Sequence, residues 1–109
     1  MTTITITKTS DDNYKEIECK GHAGYAEYGE DIVCAAVSVL TINTVNSIEQ
    51  LTKDKINVFE NEDDGIIRMT FKDVPSKEAS LLLKSFELGA MGISDQYGSK
   101  FLNIKFRRV

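Results

Sequence analysis

The sequence predicts an α+β fold, two helices packed on a largely antiparallel sheet in the order β-β-α-β-β-α-β, with one domain spanning residues 1–109. Three observations lead there. Ile4 and Ile6 alternate with Thr3, Thr5 and Thr7, the two-residue period of a strand with one buried face. From Val33 onward, apolar residues recur instead at steps of three and four, the period of a helix. Alternation returns at Ile56 and Val58 and at Ile67, Met69 and Phe71, before a second helical stretch begins.

The elements follow in order. Ser10-Asp11-Asp12-Asn13 supplies turn residues, and Tyr14 to Lys20 pairs back as a hairpin with Ile17 and Cys19 on one face. Gly21 to Glu30 (GHAGYAEYGE) keeps neither period and predicts a mobile surface loop. Asp31 predicts a helix N-cap, because a short carboxylate accepts from the first free backbone N–H groups. The helix is expected to bury Val33, Val37, Leu40, Thr44, Ile48 and Leu51. A flanking row of Ile32, Ala35, Ala36, Val39 and Ile42 widens that face. Asp64-Gly65 marks the turn between the next two strands. Val74-Pro75-Ser76 opens a second helix with a face of Ala79, Leu82, Leu83, Phe86 and Ala90, expected to end in the segment Gly89 to Gly92. A last strand, Phe101 to Arg107, points Leu102, Ile104 and Phe106 to one side.

Bulk composition excludes several classes of function. With 109 residues, 41% hydrophobic and 28% charged, the chain has enough apolar material for one core and is too well mixed for disorder. The net charge of −4 argues against bare nucleic acid as a direct partner; the basic trio Lys105, Arg107 and Arg108 reads as a solvated last strand. The start, MTTITITKTS, lacks the basic and apolar regions of a secretory signal. The longest apolar run, Ile32 to Leu40, falls short of the roughly 18 residues that span a bilayer, so no membrane partner is expected. Two cysteines are too few for a disulfide framework, and a reducing cytoplasm is the natural setting.

The chemistry-bearing residues gather around the first helix. His22, the single histidine, stands where a strand gives way to the glycine-rich loop, and Cys34 is read as lying about three residues into the helix. A thiol becomes a nucleophile near neutral pH when a base takes its proton and its surroundings favour thiolate. His22 is the base, and the helix start is the favourable surrounding, its free N–H groups also placed to donate to an oxyanion. Asp31 is placed to orient His22 as well as to cap the helix, and Ser38 follows Cys34 by one helical turn. Gly21, Gly24 and Gly29 are placed as hinges of a lid, and Tyr25 and Tyr28 either meet an aromatic substrate residue or fold the loop down. Other readings stay open at this point. Cys34 fits a buried small hydrophobe, and Cys19-x2-His22 with Cys34 offers three soft zinc ligands, although no second close pair supports a metal. A thiol-redox protein would need a C-x-x-C pair or a nearby resolving cysteine, and the sequence offers neither.

The run Gly21-His22-Ala23-Gly24-Tyr25-Ala26 and then Gly29-Glu30-Asp31-Ile32-Val33-Cys34-Ala35-Ala36-Val37-Ser38 resembles the signature of the ribosomal-processing cysteine protease family. The resemblance extends to length and element order. It implies a Cys34–His22 catalytic pair, a movable lid between them, and no metal or cofactor. It also implies a substrate, the N-terminal extension of a large-subunit ribosomal protein, and a homodimer. The rival from another class is a non-catalytic module that holds an assembling ribosomal protein, for which a small acidic domain offers weak support.

Overall fold

The computed structural model describes the backbone of residues 1–21 and 28–109 and the side chains of 1–21 and 32–109. The elements are β1 (Thr2–Lys8), β2 (Tyr14–Lys20), α1 (Tyr28–Leu51), β3 (Ile56–Asn61), β4 (Ile66–Phe71), α2 (Lys77–Tyr97) and β5 (Leu102–Arg108). The strands form one sheet in the order β3-β4-β2-β1-β5. Three of its pairings are antiparallel and the fourth, β1 with β5, is parallel. The expected α+β architecture and element order are both present.

The two-residue alternation of β1 and β2 sends Ile4, Ile6, Ile17 and Cys19 to one face of the sheet, where both helices cover them. Met69, Phe71 and Leu102 join them from β4 and β5, Val33, Val37 and Ile48 from α1, and Ala79, Leu83, Phe86 and Ala90 from α2. On the other face, polar side chains pair across the strands. Arg68 Nε donates to Glu18 at 2.8 Å, and the Thr70 hydroxyl donates to Glu16 at 2.8 Å.

Helix α1 departs from expectation at both ends of its reasoning. It begins at Tyr28, so Gly29 lies within it, Asp31 is its fourth residue rather than its N-cap, and Cys34 is its seventh. The predicted flanking row does not bury as a row: Val39 is 69% exposed, and Ala35 and Ile42 are exposed too, as is Leu51 at the end of the expected buried face. The sheet meets only one side of the helix, and the apolar residues that continue around the cylinder are left outside. The stretch Ile32–Leu51 is long and apolar enough to cross a membrane by composition, yet here Val33, Val37, Val45 and Ile48 from it are buried in the core.

Helix α2 starts as read. Ser76 is its N-cap and accepts from the Ala79 N–H at 3.1 Å. It does not stop at Gly89–Gly92 but runs through both glycines to Tyr97, where Gly98 adopts φ 101 and donates to the Ser94 carbonyl at 2.7 Å. Gly89 has a packing reason to be there: a Cβ would stand 3.1 Å from both methyl carbons of Leu40 on α1. In β5, Leu102 is buried and Ile104 half-buried, but Phe106 is 58% exposed. Helical cover gives out along this edge strand.

Candidate active site

β2 ends at Lys20, and the next residue carries the sheet ladder one step further. The Gly21 N–H donates to the Gly65 carbonyl at 3.0 Å. Gly65 itself closes the β3–β4 turn with φ 64, its N–H donating to Glu62 at 3.2 Å. The Asn61 side chain holds that turn from within, donating to the Asp64 carboxylate at 3.0 Å and accepting the Asp64 N–H at 3.2 Å. A cleft of about 300 Å³ opens beside this junction, lined by Cys19, Cys34, Ser38, Ile42, Ile66 and Ile67, with Glu60 and Glu62 at its margin.

Cys34 reaches the cleft from the second turn of α1 and is half-buried. Its sulfur lies so near the β2 terminus that a Cβ on Gly21 would stand 3.3 Å from Sγ and 3.3 Å from the Thr2 hydroxyl. Gly21 is therefore a close-approach residue beside the Cys34 sulfur. Ser38, one turn on, lines the same cleft. Thr41, Thr44 and Thr52 each donate to the carbonyl four residues back, at 2.8, 2.8 and 2.7 Å. The Ser38 hydroxyl makes no such bond among the described residues.

The helix-start argument for Cys34 changes. Six residues separate it from Tyr28, on the order of 9 Å along the axis. The dipole effect fades within the first turn, and the free N–H groups belong to the first four residues. The helix terminus is therefore too far along the chain to act on the Cys34 thiol as expected.

Cys19 also faces the cleft, although it is distant in sequence from Cys34. The two thiols are spatial neighbours, which corrects the expectation that none lay nearby. They are not equivalent. Burial pushes the Cys19 thiol up to about 11, with the Thr41 hydroxyl pulling the other way and Cys34 adding to the rise. Near neutral pH Cys19 stays protonated, and Cys34 is the more exposed of the two thiols in the cleft.

His22, Gly24 and Tyr25 lie outside the described residues, and the Asp31 side chain is likewise not described. The structure brings Gly21, Cys34 and Ser38 together. Sequence reasoning missed Gly65 and Ile42. The Asp64-Gly65 turn signal was visible, but only its contact with Gly21 makes it part of the site.

Comparison with known proteins agrees with this geometry. A family model described as Cysteine protease Prp matches residues 1–102. The ribosomal processing cysteine protease Prp of Staphylococcus aureus is 30% identical over 106 residues, spanning 96% of this chain and 100% of the relative. The crystal structure of the S. aureus protease with a substrate peptide superposes with a TM-score of 0.91 at 26% identity, covering 98% of this chain and 100% of that one. A second structure of it, with a covalently linked product peptide, superposes at 0.86 and 27% identity over 98% of this chain and 100% of that one. The family match and the curated relatives place the molecule among the cysteine proteases. The chain belongs to the Prp cysteine protease family.

Proposed function

We propose that this protein is an endopeptidase that removes the N-terminal extension of a large-subunit ribosomal protein in the cytoplasm, with Cys34 as nucleophile and His22 as its base. The observation that carries the reading is the half-buried Cys34 thiol in an apolar cleft, beside the glycine that immediately precedes His22. A related protein has been captured with a covalently linked product peptide. In the proposed cycle His22 takes the Cys34 proton, and the sulfur attacks the scissile carbonyl. The C–N bond breaks as His22 returns the proton to the leaving amine. Water, deprotonated by His22, then cleaves the thioester. Ser38 lies one turn from the sulfur and is assigned a supporting role at the cleft wall, while Asp31 is assigned the orientation of His22. The reaction needs neither metal nor cofactor.

Incubation with the extended ribosomal protein under reducing conditions tests this, with the new N-terminus read by mass spectrometry. Wild-type protein should release the extension, and C34A and H22A should lose cleavage while remaining folded. A well-folded wild-type protein that leaves the extension intact would overturn the reading.

We also infer a homodimer. Leu81 and Leu88 recur at helical spacing on the outer side of α2, 67% and 73% exposed, and Val39 is similarly bare on α1. Apolar rows of this kind are interface material.

A further inference from the structure

The β3–β4 turn does more at the cleft than connect two strands. Gly65 sits at φ 64, in the left-handed region, and its carbonyl accepts from the Gly21 N–H at the end of β2. A Cβ built there would collide with the carbonyl oxygen of Gly21 and stand 3.1 Å from the carbonyl carbon. Contacts that close are essentially absent between real atoms, so a side chain at 65 must displace the Gly21 peptide. Gly21 in turn has the Cys34 sulfur on its other side, 3.3 Å from where its own Cβ would be. The Gly21 peptide is thus held between the turn and the thiol, and the 3.0 Å bond from its N–H to the Gly65 carbonyl fixes its height on the ladder.

The remaining contacts of the turn point the same way. Asn61 and Asp64 bond to each other rather than to the β2 end, so the turn is pre-formed. Gly98, the other described glycine at positive φ, has no atom within 4 Å of a built Cβ. The two glycines share a backbone requirement, and only Gly65 adds a close approach to the site.

We propose that Gly65 is a positioning residue for the peptidase reaction: by admitting the Gly21 carbonyl where any side chain would expel it, it holds the Gly21 peptide in place beside the Cys34 sulfur. This rests on the assignment of Cys34 as nucleophile. A displacement of about 1 Å at a reacting centre costs on the order of 100-fold in rate.

The test uses G65N, with G92A as its control. Asparagine tolerates a φ of 64, so G65N keeps its turn while setting a Cβ against the site, whereas a Cβ at Gly92 meets nothing within 4 Å. Measured on a peptide that wild-type protein cleaves, G65N should lose about 100-fold in kcat with KM little changed, and G92A should lose neither. The iodoacetamide alkylation rate of Cys34 at neutral pH should fall in G65N alone. That second measurement needs no substrate, so it separates failure of this inference from failure of the peptidase reading. Unchanged kcat and unchanged alkylation in a folded G65N would overturn the proposal. A rise in KM alone would also overturn it, since that would make the turn a matter of substrate access. So would an unfolded G65N, which would make Gly65 a requirement of the fold rather than of the site.

Discussion

Two cysteines share one cleft, and their surroundings divide the labour between them. Cys19 is 5% exposed on the covered face of β2, and burial holds its thiol up to about 11 against an ordinary value of 9.0. Between those pH values the unfolded chain loses the proton that the folded chain keeps. The unfolded state then binds fewer protons, so stability falls as pH rises from about 9 to 11 and is unaffected by this group below that window. Urea denaturation at pH 8 and pH 10.5 should show an alkaline loss on the order of 2 kcal/mol in wild type that C19V lacks. An identical alkaline loss in the two proteins would refute the assignment. At pH 7 iodoacetamide should label Cys34 in the folded protein and reach Cys19 only after unfolding, a difference that peptide mapping resolves.

At the scale of elements, the two glycines inside α2 make opposite predictions. Gly92 is exposed, and a Cβ there would meet nothing within 4 Å, whereas one at Gly89 would press on Leu40. G92A should therefore raise stability by up to about 1 kcal/mol through helix propensity. G89A should gain less or lose, because Leu40 must give way; urea midpoints of the two variants decide it. This pair also shows where the sequence was readable. Strand alternation at Ile4, Ile6 and Ile17, the Ser76 cap and the order of elements are local signals, and all appear in the fold. The end of α2 was misplaced because Gly89 answers to Leu40 on another helix, a contact that no local rule contains. The start of α1 was misplaced for a related reason. The loop-like composition of Tyr28-Gly29-Glu30 outweighed, on paper, a helix that continues through it. Cys34 stands out in sequence by its neighbourhood, and the fold sets it in the cleft. Gly65 was legible only as a turn, since its approach to Gly21 spans 44 positions of chain.

On the scale of the whole molecule, the candidate site lies toward one edge of the sheet. The cleft lies against the β3–β4–β2 side, while β5 forms the opposite edge. The bare leucines of α2 belong to neither. If they form the inferred dimer surface, the double variant L81K/L88K should sediment as a monomer, while wild type sediments at twice the mass. A wild-type protein monomeric at micromolar concentration would remove the inference. The surplus of four negative charges suits a basic partner, and cleavage of a ribosomal protein should slow as salt is raised.

The parallel pairing of β1 with β5 carries a consequence for how this protein comes into being. Thr2 lies beside Leu102 and Lys8 beside Arg108, so the first strand made is completed by the last. Closing a loop of that length is slow, and it has no local substitute. Until β5 is in place, β1 is an open edge of the sheet. An unpaired edge of that kind is a template for strands of other chains, so the pairing that completes the fold is also the one that protects it from aggregation.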